Sequence, residues 1–407
     1  MRCRQPSSRA VSRLSRLWDK GVDLDQRVLQ YTAGDDYALD ERLVKYDVRA
    51  SIAHAEMLHA AKLLDTADLV VIRDGLTRLA DEHAAGSWTI ELADEDGQTA
   101  LEKRLTARIG PAGGRVHLGR SRNDQVLTAL RLYLLDAARE LATAAEACAA
   151  ALDRLKARDG AIALPGYTHM QQAMPSSVAL WADGFAAELR DDAQALGACV
   201  RRASRSPLGS AAGYGTPGLP LDREYTRAKL GFDSVQTPVT AVQLSRGKAE
   251  AELLFQCALL MQDLGRLASD LLLFYTQEFA FVALPPEFTT GSSIMPQKRN
   301  PDVFELVRGR TAVSHACLTE VLALFAKLPS GYQRDLQLIK PPLFRGIDVA
   351  LATAAIMTVG IDGVRFRADQ IKLDPAIHAA EEANALVARE GIPFREAYRR
   401  IGEKYRK

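Results

Sequence analysis

Four short segments carry more polar chemistry than a helical scaffold needs. In Gly119-Arg120-Ser121-Arg122-Asn123-Asp124-Gln125, six polar residues follow a glycine and open a long apolar repeat. A helix start offers free N–H groups and the positive end of the dipole. With Arg120 and Arg122 added, it is a candidate anion site; a solvated, capped helix start has the same pattern. In Leu164-Pro165-Gly166-Tyr167-Thr168-His169-Met170-Gln171, Thr168 and His169 fall in a turn before the second long helix. Histidine titrates nearest neutrality and suits proton transfer, although a lone histidine in a turn also serves structure. Gly291-Ser292-Ser293-Ile294-Met295-Pro296-Gln297-Lys298-Arg299-Asn300-Pro301 joins a Gly/Ser run to two cations and an Asn, before a helix that Pro301 starts, with Glu305 one turn inside. Such a loop can move, while Lys298 and Asn300 can hold negative charge; the alternative is an exposed basic linker. Tyr332 to Lys340 places long polar side chains beside Pro341 and Pro342, lining a cleft or forming a solvated loop.

Long helices must position these segments. From Leu130 the apolar positions run Leu134, Ala137, Leu141, Ala144, Cys148, Ala151, Leu155, a heptad seam. A second run is Leu253, Cys257, Leu260, Leu264, Leu267, Leu271, Phe274. Others follow Pro175 (Trp181, Phe185, Leu189, Leu196, Val200) and Pro301 (Val303, Val307, Leu318, Val321, Phe325), with a fifth near Leu351–Ile361. Helices well above the usual mean of about 11–12 residues need partners along their whole length. A bundle of four or five is the natural solution. No stretch shows several alternating strands with hairpin turns. The expectation is an all-α chain with an N-terminal helical domain (1–118), a central long-helix bundle (119–366) and a short C-terminal helical domain (367–407). Seams facing more than one neighbour would let subunits share the bundle.

Composition excludes several classes. The 407 residues are 47% hydrophobic and 25% charged, enough for a large core. Lys+Arg (52) nearly equals Asp+Glu (51), against a general nucleic-acid binder. No uninterrupted apolar run reaches the roughly 18 residues of a membrane span. The five cysteines are odd in number and lack C-x-x-C spacing, which points to reduced thiols in a cytoplasmic protein. The Arg/Ser-rich first sixteen residues faintly resemble a transit peptide without an apolar face. Gly213-Tyr214-Gly215-Thr216-Pro217-Gly218 matches G-x-G-x-x-G, but no βαβ unit surrounds it. His54 and His59 are spaced i, i+5, about 140° apart on a helix, which rejects a zinc-protease pair in favour of buried or capping roles.

The segment GSSIMPQKRNPD resembles the signature of the fumarase/aspartase superfamily. His117 to Gln125, Gly166 to His169, Tyr332 to Lys340 and Gln297 of the MPQK core resemble the branch that splits argininosuccinate into arginine and fumarate. The resemblance runs from Leu17-Trp18 to Gly391–Tyr398. It implies that Ser292 is the base that removes a proton beside a succinyl carboxylate. It implies that Lys298, assisted by Asn300, stabilises the growing charge, and that His169, paired with Glu305, handles the proton for the departing nitrogen. Ser121, Arg122, Asn123, Thr168, Tyr332, Gln337 and Lys340 would bind substrate. No cofactor or metal, no nucleic acid and no membrane is implied. The family's assembly is a homotetramer whose helices share one core and whose sites draw on three subunits. Three departures stand out. Gln98 replaces the histidine of an EDVH segment, Asp36 stands near the place of a substrate-contacting serine, and the chain ends at Lys407, some tens of residues short of the family's usual length. The alternatives are another fumarate-releasing lyase, similar to adenylosuccinate lyase, and a non-catalytic crystallin-like homologue.

Overall fold

The computed structural model describes residues 25–406. The Arg/Ser-rich start, Cys3 and Leu17-Trp18 lie outside them. The chain is predominantly helical, and its principal elements are α1 (Val44–Ala60), α2 (Thr66–Ala84), α3 (Gly97–Ile109), α4 (Arg122–Asp159), β1 (Ala163–Thr168), β2 (Gln171–Ser177), α5 (Val178–Ala198), α6 (Lys248–Tyr275), α7 (Asp302–Phe325), α8 (Lys340–Gly363), α9 (Ala379–Glu390) and α10 (Phe394–Lys404).

Two compact units emerge. The first joins residues up to Leu130 with Ser206–Thr240; the second joins Arg131–Arg205 with the chain from Ala241 onward. These units are discontinuous in sequence, whereas the expected segments follow chain order. The first unit packs α1, α2 and α3 around Val48, Leu58, Ile72, Leu76, Leu101 and Leu105. In the second, α6, α7 and α8 pack on one another and α5 packs on α6.

The heptad seams are the buried faces. All seven expected positions of α6, from Leu253 to Phe274, are buried. Along the 38-residue α4, about 57 Å at 1.5 Å per residue, Leu134, Ala137, Leu141, Cys148, Ala151 and Leu155 are buried, and Ala145 takes the place expected of Ala144. Small residues set the helix spacing. A Cβ on Gly346 of α8 would lie 2.4 Å from Leu254 Cδ2 and 3.3 Å from Cys317 Cβ. Gly247, which caps α6 at φ +84°, would place a Cβ 2.2 Å from the Phe325 ring. Gly247→Ala therefore combines overpacking, about 1–3 kcal/mol, with a left-handed backbone that disfavours any Cβ by roughly 1–2 kcal/mol. A urea titration is expected to show the loss as a lower midpoint.

Arg334–Gly363 is, among the described residues, the one helical stretch long and apolar enough to cross a membrane. Half of its most apolar window is buried, and α8 packs against α6 and α7 as a core helix does. Pro341 and Pro342 lie in its first turn, where no intrahelical N–H is needed, so they start the helix. Cys148, Cys199, Cys257 and Cys317 are free thiols, and only Cys199 is partly exposed.

One expectation needs correction. Leu164–Gln171 is not a turn leading directly into a helix: β1 and β2 form an antiparallel hairpin, with Ala163 opposite Ser177 and Thr168 opposite Gln171. Pro165, Gly166 and Pro175 disfavour helix here, and the backbone bonds across the pair instead. The hairpin escaped notice because its residues do not alternate apolar and polar.

Candidate active site

The Gly119–Gln125 turn is held by a polar stripe on α1. Asp47, Ser51 and His54 follow i, i+4, i+7 spacing, share one face and are all buried. His54 Nε2 lies 2.8 Å from the Leu118 carbonyl. Arg120 donates to Ser51 Oγ at 2.8 Å. Ser51 and Gln125 each donate to Asp47 Oδ1 at 3.4 Å, and the buried Gln98 side chain also favours the ionised Asp47 carboxylate. Gln98, the residue in the histidine's place, is thus a buried member of this network. Ser121 caps α4: its Oγ accepts from Asn123 N at 3.3 Å, while Asp124 Oδ1 accepts from Ser121 N at 3.0 Å. This is an N-cap with a reciprocal bond from N3, the serine being bonded at N2. Asp124 Oδ2 also accepts from Gly209 N (3.0 Å) and Ala211 N (2.8 Å). Arg122 pairs with Asp96 at 3.1 Å and approaches Glu95 at 3.8 Å. The capped helix start is real, yet the Asp124 that completes it is buried and also holds Gly209 and Ala211.

Burial dominates the titration of this network. It raises the Asp47 and Asp124 carboxyls, with the Arg120 charge opposing at Asp47 and backbone donors opposing at Asp124. Burial and then the Arg120 charge push His54 down to about 3. The ring is therefore neutral, and Nε2 must carry the proton donated to Leu118. On acidification the unfolded chain takes up this proton near 6.5, well before the folded one. Stability is thus lost as pH falls from 6.5 toward 3. His54→Gln retains an amide donor without titrating, so its melting temperature is expected to fall less steeply over that window than the parent's. His59 Nδ1 bonds the Leu64 carbonyl at 3.0 Å, just past the end of α1. Both histidines have the buried or capping roles their spacing implied.

His169 stands at the hairpin tip. His169 (φ 52°) and Met170 (φ 61°) are the two loop residues between Thr168 and Gln171. A two-residue hairpin loop with both positions left-handed is a type I′ turn, which normally takes Asn-Gly. A non-glycine residue there stores of order 1–3 kcal/mol of strain, a feature that clusters at functional sites. Thr168 and His169 are exposed. Just below the tip, Tyr167 meets Phe279 edge-on at 6.2 Å, joining a run of rings through Phe281, Phe274 and Trp181.

The 291–299 loop has a pinned base and an exposed crest. Thr290 and Asn300 exchange two backbone hydrogen bonds, at 3.0 and 2.8 Å. The Asn300 amide donates to Thr290 Oγ1 (3.4 Å) and to the Gly291 carbonyl (3.3 Å). Asn300 thus fastens the loop ends. Ser292 Oγ accepts from Ile294 N at 3.4 Å and Met295 N at 3.2 Å. Lys298, on the same loop, is exposed, as is Glu305 on α7.

The fourth segment is a 3₁₀ turn, Arg334–Ile339, leading into α8. Lys340 is buried, Gln337 and Tyr332 partly so. The Arg246 guanidinium lies over the Tyr332 ring at 5.5 Å. Arg246, Arg131 and Glu250 are all buried. Arg131 donates to Ser245 Oγ at 2.8 Å and to the Arg205 carbonyl. Burial lowers its guanidinium to about 10, against the pull of Glu250. Sequence reasoning missed these arginines because each is isolated in the chain.

The expected site residues fall on separate elements. Ser292, Lys298 and Asn300 share one loop. Ser121, Arg122 and Asn123 share one helix start, and Thr168 and His169 one hairpin tip. Among the described residues, no hydrogen bond or ion pair joins His169 to Glu305 or to Ser292.

A family model described as "Lyase" matches residues 24–313. Argininosuccinate lyase from Sorangium cellulosum (strain So ce56) is 48% identical over 392 residues, 95% of this chain and 90% of its own length. The enzyme of the same name from Xanthomonas euvesicatoria pv. vesicatoria is 44% identical, over 94% of this chain and 89% of its own. EDDS lyase in complex with formate superposes with a TM-score of 0.78 at 25% identity, covering 94% of this chain and 76% of that one. Class II fumarase from Schistosoma mansoni, at 16% identity, shares the fold with a TM-score of 0.77 over 94% of this chain and 88% of its own. With its four motifs in place on this helical fold, the chain belongs to the lyase family, in the group of the argininosuccinate lyases.

Proposed function

We propose that this chain eliminates arginine from argininosuccinate, leaving fumarate. Ser292 Oγ takes the proton from the carbon beside a succinyl carboxylate. Charge builds on that carboxylate, and Lys298 holds it. The carbon–nitrogen bond then breaks, its electron pair leaving on the guanidino nitrogen, to which His169 delivers a proton. Ser121, Arg122, Asn123, Thr168, Tyr332, Gln337 and Lys340 bind the substrate, while Asn300 keeps the loop closed at its base.

The observation that carries this reading is the environment of Ser292 Oγ. Two backbone N–H groups donate to it, and donors to an oxygen favour its ionised form. A serine is a weak base in water, so the loop must also shut solvent out. A loop fastened at Thr290 and Asn300 supports closure as one piece. Cations beside the nascent dianion accelerate the step only as that charge grows.

We also propose a homotetramer whose sites are shared among subunits, with Glu305 of one copy raising the basicity of His169 in another. That no ion pair joins His169 to Glu305 among the described residues supports it. So do the exposed apolar side chains on bundle helices, Phe255 and Leu259 on α6 and Leu306 and Leu322 on α7. The test is purified protein with argininosuccinate and, separately, adenylosuccinate. Fumarate and arginine released in equal amounts from the first alone is the expected result. Fumarate from the second alone moves the assignment to a sister lyase, and none from either favours the non-catalytic reading.

A further inference from the structure

The strained tip that carries His169 needs an anchor, since His and Met do not choose a type I′ turn unaided. The anchor lies one rung below. A bulge between Gly166 and Tyr167 sets Tyr167 opposite Gln172. The Gln172 amide then reaches off the hairpin. Its Nε2 donates to the Lys372 carbonyl at 2.9 Å, and its Oε1 accepts from Asp374 N at 2.8 Å. One primary amide thus pairs with two backbone groups as a neighbouring strand would, and fixes β2 against the 372–374 segment. That segment is itself held: the Asp374 carboxylate accepts from Ala376 N at 2.9 Å, capping the Pro375–His378 turn.

We infer that Gln172 is a positioning residue for His169: by clamping the hairpin to residues 372–374 it sets the direction in which the imidazole faces the substrate. The inference rests on the proposed role of His169 as proton carrier. Gln172 touches no reacting atom, so its effect falls on the alignment of the proton transfer. A misplacement of about 1 Å in such a group costs on the order of 10²-fold in rate.

Gln172→Leu keeps the bulk and removes both hydrogen bonds. In steady-state fumarate release by the full-length protein, kcat is expected to fall by about 10- to 100-fold, with KM within a factor of two and the melting temperature nearly unchanged. The same substitution in a His169→Asn background is expected to add almost nothing, because residues acting through one group are non-additive. An unchanged kcat, or an equal further loss in the His169→Asn background, overturns the inference. A readout independent of turnover separates this inference from the lyase reading. With ¹³C-methyl methionine labelling, the Met170 signal, assigned through Met170→Leu, is expected to shift and broaden in Gln172→Leu. An unmoved signal overturns the clamp whether or not the parent protein cleaves argininosuccinate.

Discussion

Ser292→Ala is expected to lower kcat for fumarate release by about 10²–10⁴-fold, the range for losing a positioned general base, with the helical circular dichroism and the oligomeric state unchanged. The asymmetry between activity and fold follows from the position. Ser292 sits on a mostly exposed loop, and the only bonds its side chain makes among the described residues are those it accepts from Ile294 N and Met295 N. The loop base is held by Thr290 and Asn300, which alanine at 292 does not touch. Binding is expected to survive as well, since the candidate substrate contacts lie on other elements. KM should stay within a few-fold while kcat collapses, the pattern of an interaction made only in the transition state. Retained turnover would remove Ser292 from the role of base.

Much of this was readable from the sequence, for a physical reason. Heptad spacing is a direct image of a buried helix face, so the α6 seam from Leu253 to Phe274 could be written down residue by residue. The four polar segments were visible because each is dense in polar groups within a few positions. The hairpin was not visible: Leu164-Pro165-Gly166-Tyr167 lacks alternation, and its pairing depends on Gln171–Ser177 across a turn that His169-Met170 would not suggest. The stripe Asp47, Ser51, His54 left a trace, three polar residues at helical spacing on an otherwise apolar face. Spacing alone did not say what they would grip, because Arg120 arrives from 69 positions beyond Ser51. Gln172 left none, since its partners are 200 and 202 residues away.

That stripe leads to the other large effect, on stability. Asp47→Ala is expected to destabilise the first unit by about 1–3 kcal/mol, because it leaves the buried Ser51 and Gln125 donors without their acceptor and removes the largest favourable charge acting on the buried Arg120. Arg120 is 8% exposed and lies beside Asp47, and Ser51, Gln98 and Gln125 all turn toward the same carboxylate. Replacing both groups, as in Asp47→Leu with Arg120→Met, is expected to cost less than Asp47→Ala alone, since both desolvated polar groups are removed together. Denaturant titrations of Asp47→Leu, Arg120→Met and the double form a cycle that isolates the interaction. If the double variant is as unstable as the sum of the singles, the pair is not coupled. Recovered stability need not bring recovered activity. The Arg120–Ser51 bond and the Asp124 cap hold the turn that carries Ser121, Arg122 and Asn123. A chain refolded around leucine and methionine keeps its helices yet loses that grip, so its KM for argininosuccinate is expected to rise while its melting temperature stays nearer the parent's than that of Asp47→Ala. A buried polar network retained at this cost thus serves the geometry of the candidate binding turn more than the stability of the fold.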